Sequence, residues 1–132
     1  MVFSVGLDYF FTDERKRHVV AIVRKKERLR FAEKMGGLEV AYHFESLDFP
    51  ANERRFSAFL AEFEAGRSDK VKLHQHAGVE FLYVVHGKLD LMIGSDVHLL
   101  DPGDSVYFDS TVKHGYRRAS SQSTTAVVVT AA

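Results

Sequence analysis

The second half of the chain alternates apolar and polar residues over short stretches, which is the pattern of half-buried β-strands. Within residues 88–94, for example, Leu89, Leu91 and Ile93 fall on one face of a strand. The stretches recur at roughly 8–12-residue spacing, and turn signals such as the sequence DPGD separate them. Strands are predicted at residues 71–77, 80–87, 88–94, 96–100, 105–109, 112–118 and 124–130. This spacing predicts an all-β sandwich or barrel.

The first half is less regular, and its strands are predicted at residues 17–25, 38–47 and 55–65. Residues 25–37 are ambiguous, because Leu29, Ala32 and Met35 have helical spacing and Gly36 could end a helix. We interpret them as a short helix or an extended arm. No internal repeat or linker divides the chain, so we predict one domain. It spans residues 1–132, with N-terminal strands and an arm in 1–65, the chemically informative motifs in 66–118 and a closing strand in 119–132.

Composition and charge narrow the function classes. The chain has 132 residues, with 18 Lys plus Arg and 18 Asp plus Glu. The net charge is therefore zero, and the excess of positive charge that is typical of nucleic-acid-binding domains is absent. There is no cysteine, so any metal must be bound by His, Asp, Glu or water. No stretch approaches the ~20 apolar residues of a membrane span, and the N-terminus has no basic segment of a signal peptide. We therefore expect no membrane association and a cytoplasmic location.

Four residues carry the chemistry that the sequence suggests. His74 and His76 are two apart, so on a strand both imidazoles point the same way. Glu80 follows a corner of small residues, and His114 lies on a later strand. Three imidazoles and one carboxylate suit one divalent transition metal, namely Zn, Fe, Mn, Ni, Co or Cu. A pair of histidines alone is weak evidence, because such pairs are common on surfaces and in loops.

The spacing of these residues resembles a known family. The first cupin motif has the form H-x-H-x3-E-x6-G, and the second has the form P-G-D-x9-H. The matching residues are His74, His76, Glu80 and Gly87 for the first motif, and Pro102, Gly103, Asp104 and His114 for the second. The resemblance implies that His74, His76, Glu80 and His114 are the metal ligands. It also implies a double-stranded β-helix, or jelly-roll barrel, here with an N-terminal β arm.

A closer resemblance covers more of the chain. Residues 81–118, together with the lead-in at residues 9–30, 44–47 and 54–66, are similar to the C-terminal cupin half of bacterial transcriptional regulators that carry an XRE-type helix-turn-helix. In those regulators this half is thought to sense a small molecule. No helix-turn-helix is evident in the present sequence. The resemblance therefore implies either the sensor half of a longer regulator or a stand-alone relative.

Aromatic and apolar residues near the motifs are candidates for lining a ligand pocket. Tyr116 lies two residues beyond His114 on the same face, and His86 shares the predicted face of Glu80. The full predicted ligand-binding set is Tyr116, Phe59, Phe63, Met92, Phe108 and His86. Packing in the barrel core is the preferred explanation for Phe59, Phe63, Phe108 and Met92 and explains Tyr116 equally well, and a position at the end of a strand explains His86.

Two functional hypotheses follow. In the first, the chain is a regulatory module in which the metal helps to hold a small polar ligand. In the second, it is a metal-dependent enzyme of the dioxygenase or isomerase/lyase type acting on a small polar substrate. No residue is identified as catalytic, so the sequence leaves open whether the protein is an enzyme. A homodimer is expected, because an unpaired strand edge in the N-terminal arm invites pairing with a second subunit.

Overall fold

The computed structural model describes residues 20–36, 39–63, 71 and 73–132. Nine β-strands account for most of this part of the chain, and a single 3₁₀ turn at Lys25–Glu27 precedes them. The strands are β1 (Leu29–Gly36), β2 (Glu39–Ser46), β3 (Ser57–Phe63), β4 (Val79–His86), β5 (Leu89–Ile93), β6 (Asp96–Leu100), β7 (Ser105–Asp109), β8 (His114–Arg118) and β9 (Thr124–Ala131). The all-β prediction is confirmed. Among the described residues, no helix is long and apolar enough to cross a membrane.

The strands form two antiparallel sheets, as expected for a jelly-roll barrel. The larger sheet has the order β1-β2-β3-β9-β4-β7, and the smaller has the order β6-β5-β8. Strand β9 lies between β3 and β4 and pairs with both. The end of the chain therefore joins the N-terminal strands to the strand that carries Glu80.

Alternation along β4 builds the centre of the core. Leu82 and Val84 are fully buried, whereas the intervening Phe81 and Tyr83 are partly exposed. Leu89 and Leu91 of β5 are also fully buried, which confirms the face predicted for residues 88–94. The remaining buried apolar side chains are Ala61, Phe63, Phe108, Ala126 and Val128. Burial of these side chains supplies the main favourable free energy of folding.

The structure decides between the two interpretations of residues 25–37 in favour of the extended one. They form no helix over their described part; after the 3₁₀ turn, β1 begins at Leu29 and pairs with β2. Phe31 stacks on Phe44 across the pair, with ring centroids 5.3 Å apart. A free helix of this length would be marginal, because helix stability in proteins comes mostly from packing. Pairing with β2 satisfies the backbone and packs the aromatic rings, which outweighs the helical spacing of the apolar residues.

Two predicted strands are wrong in their described parts. Residues 20–24, from the predicted strand at 17–25, have no regular secondary structure; residues 17–19 lie outside the described residues. In the stretch predicted as a strand at 71–77, the described residues form only an isolated bridge between His74 and His114. The other predicted strands are confirmed, with ends that differ by up to two residues.

Gly87 occupies a turn between β4 and β5 that requires glycine. Its φ angle is +77°, in the left-handed region. A Cβ atom there would collide with the Thr124 hydroxyl and lie 2.7 Å from the Ser123 carbonyl oxygen. Gly103, in the turn before β7, also has a positive φ angle of +91°, but a Cβ atom would meet nothing within 4 Å.

The two glycines provide a matched test of steric constraint in the fold. Gly103→Ala should lower the free energy of unfolding by about 1 kcal/mol, because only the backbone conformation is strained. Gly87→Ala should lower it by about 3 kcal/mol or more, because the methyl group also displaces the start of β9. Urea denaturation followed by circular dichroism measures both values. Equal losses for the two variants would contradict the close packing of Gly87 on β9.

Candidate metal site

Three of the four predicted ligands come together in the structure. His76, Glu80 and His114 each offer one ligand atom, and these atoms lie within 4.8 Å of one another. The Glu80 Oε1 atom is 3.2 Å from His76 Nε2 and 3.8 Å from His114 Nε2. Glu80 lies near the start of β4, and His114 begins β8. One carboxylate oxygen therefore faces two imidazoles that come from separate segments of the chain.

Backbone hydrogen bonds hold these segments in place. The His74 N–H donates to the His114 carbonyl at 2.7 Å, and the His114 N–H donates back to the His74 carbonyl at 3.0 Å. The His76 N–H donates to the Ser110 carbonyl at 2.9 Å, and the Ser110 N–H donates to the Gly78 carbonyl at 3.0 Å. The loop that carries the paired histidines is therefore fixed to the segment around His114, although it forms no regular strand.

Main-chain carbonyls orient both histidines of the cluster. His114 Nδ1 lies 2.8 Å from the Val112 carbonyl oxygen, and His76 Nδ1 lies 3.3 Å from the Ala77 carbonyl oxygen. A carbonyl can only accept, so each Nδ1 is the protonated nitrogen of its ring. In the neutral rings, each Nε2 then carries a lone pair on the side of Glu80. This is the tautomer that a metal ligand requires, with the second nitrogen held by an outer hydrogen bond.

The electrostatics of the cluster favour a bound cation. Glu80 is only 4% exposed, and its Oε2 atom has no hydrogen-bond partner in the described part of the structure. Burial raises the pKa of Glu80, although a hydrogen bond from His76, available when that imidazole is protonated, opposes this shift. Burial also lowers the pKa of His114. A buried carboxylate oxygen without a partner, beside two Nε2 lone pairs, fits a divalent transition metal bound by nitrogen and oxygen.

His74, the fourth predicted ligand, lies beside this cluster rather than within it. Its ring centroid is 6.2 Å from that of His114, and its Nε2 atom is 3.4 Å from the Tyr42 hydroxyl. The hydroxyl can donate to an unprotonated Nε2 at this distance. The structure thus places His74 in contact with Tyr42, and its role as a metal ligand stays a prediction.

A small cavity of about 210 Å³ adjoins the cluster. It is lined by Glu33, Tyr42, Phe44, Phe59, Ala61, His74, His76, Glu80, His114, Tyr116, Val128 and Thr130. The lining surface is mostly apolar, and its carboxylates and imidazoles are those of Glu33, His74, His76, Glu80 and His114. The Tyr116 hydroxyl is buried and has no hydrogen-bond partner among the described residues. The cavity therefore has an apolar wall beside a candidate metal site, as expected for a small-molecule site.

The predicted pocket residues divide into two groups. Tyr116 and Phe59 line the cavity, whereas Phe63, Phe108, Met92 and His86 do not. Phe63 is buried behind the wall, with its ring centroid 5.8 Å from that of Tyr116. Phe108 packs against His114 at a centroid distance of 4.9 Å. These two residues support the site from behind, and their role in ligand binding stays a prediction.

A strand irregularity explains the position of His86. The pairing of β4 with β9 shifts register between Val84 and His86. Val84 is buried, but both Val85 and His86 are exposed, so the alternation that began at Glu80 ends there. The sequence shows no sign of this shift, because a β-bulge depends on the partner strand.

Tyr42 and Glu33 line the cavity, but the sequence analysis did not predict either of them as a pocket residue. Tyr42 lies on β2, and burial, with the nearby Glu33 and Glu80 carboxylates, raises its pKa well above the usual range. Glu33 lies opposite Tyr42 in the β1–β2 pair, at a register shift. The alternation of Tyr42 and Phe44 along a predicted strand was the available signal. It did not reveal which face would point into the barrel.

Comparisons with known proteins identify relatives of this architecture. Residues 59–130 match the family model described as Cupin domain. The Fe(II)-HppE structure with alternative substrate (S)-1-HPP superposes with a TM-score of 0.72 and 22% identity, over 85% of this chain and 60% of that chain. Hydroxypropylphosphonic acid epoxidase from S. wedmorenis superposes with a TM-score of 0.68 and 22% identity, over 84% of this chain and 59% of that chain. No curated protein sequence matches the chain.

A regulator is also among the similar structures. The HTH_3 family transcriptional regulator from Vibrio cholerae superposes with a TM-score of 0.60 and 17% identity, over 70% of this chain and 52% of that chain. The present chain spans about 60% of the length of the HppE chains. At these identities the likeness shows a shared fold and leaves the activity open.

The raised pKa of Glu80 predicts a pH-dependent effect of its replacement. In metal-free protein, the ionised buried carboxylate should destabilise the fold increasingly as the pH rises above the unfolded value of 4.5. Glu80→Gln removes this charge, and its amide can donate to the His76 Nε2. The variant should therefore be more stable than the wild type at pH 8, and this advantage should shrink towards pH 4.

Urea denaturation in a chelating buffer at pH 4 and pH 8 measures this difference. Glu27→Gln, at an exposed position, is the matched control and should change little at either pH. A constant stability difference between Glu80→Gln and the wild type across this range would contradict the proposed burial of charge.

Proposed function

The chain belongs to the cupin family, and we propose that it is a metal-binding module that senses a small molecule. The observation that carries this proposal is the cluster of His76, Glu80 and His114 at the wall of an apolar cavity. Its histidines are held in the metal-binding tautomer, and its carboxylate has a buried oxygen without a partner. The cluster binds one divalent transition metal, and the cavity binds the ligand.

The residues present fit a metal site of mixed nitrogen and oxygen donors. His76, Glu80 and His114 hold the ion, and His74 joins them if its imidazole turns from the Tyr42 hydroxyl. A bound divalent ion supplies positive charge and open coordination positions for a polar ligand atom. Fe(II) and Co(II) are the first ions to test, because both are named in the HppE structures. Zn, Mn, Ni and Cu fit the same donor set.

The size and lining of the cavity support a binding role. Its volume of about 210 Å³ is below the ~300–1,000 Å³ of typical ligand pockets, so the ligand is small. The aromatic wall formed by Tyr42, Phe44, Phe59 and Tyr116 favours an apolar body, and the metal favours one polar end. The similarity to the HTH_3 family regulator supports regulation as the purpose of this binding. The chain is then a sensor half of a regulator or a stand-alone relative.

A metal-dependent enzyme is the second candidate, and Tyr42 favours it. Its hydroxyl lies 3.4 Å from His74 Nε2 at the cavity wall. A phenol and an imidazole in contact can hold or move a proton next to a bound substrate. The sequence had offered no such group near the metal ligands. The fold shared with hydroxypropylphosphonic acid epoxidase is compatible with this alternative.

Self-association and location are further parts of the proposal. The sheet order leaves β1 and β7 as edge strands, and Tyr107 on β7 is 67% exposed. Edge strands pair readily with another chain, which supports a homodimer. We retain the cytoplasmic location expected from the sequence, and no direct contact of this domain with nucleic acid.

The metal site predicts a defined stoichiometry. Protein purified without chelator, or dialysed against Zn(II), Mn(II), Fe(II), Co(II) or Ni(II), should contain about one ion per chain. Glu80→Gln and His114→Ala should each abolish most of this binding, because each removes a donor of the cluster. His98→Ala, on the exposed β6, should retain full binding. Elemental analysis and calorimetric titration measure the content, and a wild-type chain that takes up none of these ions would disprove the site.

A second measurement separates the sensor from the enzyme. A ligand that binds only the folded state at a hundredfold excess over its Kd stabilises it by about 2.7 kcal/mol. A thermal-shift screen of small carboxylates, amino acids and sugars on metal-loaded protein should therefore give a clear hit. For a sensor, the compound should remain chemically unchanged after incubation in air.

For an enzyme, mass spectrometry should detect a new species from the same compound, and Tyr42→Phe should slow its formation while the metal content stays unchanged. Turnover of the best-binding compound would reject the sensor assignment in favour of the second candidate.

A further inference from the structure

A second, more polar groove adjoins the candidate metal site. It has a volume of about 580 Å³, and its lining includes Arg54, Arg55 and Phe56 from the loop before β3, Ser57 at the start of β3, and Ala77, Ala131 and Ala132. His76 and Thr130 line both this groove and the aromatic cavity. The two spaces therefore share part of their walls, and His76 belongs to both.

Local hydrogen bonds fix the loop that carries the two arginines. The Asp48 carboxylate accepts from the Arg54 guanidinium at 3.1 Å and from the Ala58 N–H at 2.9 Å. The Leu47 N–H donates to the Ala58 carbonyl at 2.9 Å, which closes the base of the loop. Asp48 therefore neutralises Arg54 and holds the neighbouring residues in position.

Arg55 differs from Arg54 in having no ion pair within the described residues. Its side chain is exposed, and no Asp or Glu side chain from the described part of the chain lines the groove. A guanidinium offers paired N–H donors that match the two oxygens of a carboxylate. The groove thus presents a free cationic group on a prepositioned loop, beside the side chain of His76.

We propose that the ligand is a small amphipathic carboxylate whose apolar part enters the aromatic cavity and whose carboxylate binds Arg55. This inference rests on the proposed function and specifies the ligand class. The aromatic wall favours the apolar part by removing it from water. The carboxylate stays hydrated and paired in the groove, so it avoids the cost of burying a charge. One ligand molecule that lies alongside His76 can occupy the aromatic cavity and the polar groove at the same time.

A set of three probes tests this division of the ligand. Hexanoate has both parts, 1-hexanol has only the apolar part, and acetate has only the carboxylate. Calorimetric titration into Zn(II)-loaded wild-type protein should show the tightest binding for hexanoate. Arg55→Gln should weaken hexanoate binding by about fivefold or more, with little effect on 1-hexanol. Arg55→Lys should recover part of the loss, and Arg24→Gln should match the wild type as a control for lost surface charge.

The outcomes also separate this inference from the proposed metal site. Hexanoate binding that depends on Arg55 supports the inference, and a weaker dependence on NaCl in Arg55→Gln than in the wild type supports it further. Equal binding by the wild type and Arg55→Gln overturns it, because the carboxylate then binds elsewhere, for example at the metal. A protein that takes up Zn(II) but fails to bind hexanoate overturns the ligand class alone. Failure to take up any transition metal overturns the proposed function instead.

Discussion

The inward face of β4 is the constraint on which both the core and the site depend. Glu80, Leu82 and Val84 alternate along this face, and each is at least 95% buried. Glu80 is held on both sides, opposite Phe108 of β7 and Thr130 of β9. A shift of one residue in this pairing would expose the apolar side chains and remove the carboxylate from the barrel. The packing that stabilises the fold therefore also positions the carboxylate.

Burial of Glu80 disfavours its ionised form, and the surrounding residues compensate for the lost hydration only in part. His76 provides one contact to Oε1, and His114 approaches the same oxygen, but Oε2 has no partner among the described residues. Because Val112 and Ala77 bind the Nδ1 atoms, the histidines cannot offer Nε2–H donors while they stay neutral. A metal ion satisfies the carboxylate and both lone pairs together. The same arrangement that disfavours an ionised carboxylate without a cation thus favours cation binding.

Residues whose role follows from local spacing were predictable from the sequence. The apolar alternation in β5 and the turn signals predicted strands and turns, and the resemblance carried by the two motifs implied the grouping of His76, Glu80 and His114. Features that depend on a partner strand were not predictable. The segment after Leu29 has helical spacing, yet the Phe31–Phe44 contact favours a strand. The register shift beyond Val84 moves His86 outward.

The unforeseen parts of the site have the same origin. Tyr42 and Glu33 reach the cavity through the β1–β2 pair, in which the sequence predicted β2 as a strand but left β1 ambiguous. Single-strand periodicity shows which residues share a face, but the order of strands in the sheet decides which face lines the barrel. His74 illustrates the remaining limit. Spacing placed it on the face of His76, whereas its hydrogen-bond partner is on a strand more than thirty residues away.

The three clustered side chains differ in exposure, so one side of the site is buried and the other faces solvent. The His114 and Glu80 side chains are 1% and 5% exposed, whereas that of His76 is 39% exposed. Core packing therefore fixes two of the donors, and the third lies at the boundary with solvent. A ligand that enters from solvent meets His76 first, where the aromatic cavity and the polar groove lined by Arg54 and Arg55 share a wall. The buried Glu80 and His114 can fix the coordination geometry of a bound ion, while the exposed side of the site at His76 remains open to a ligand. A reversible binding site requires this combination of fixed donors and an open side.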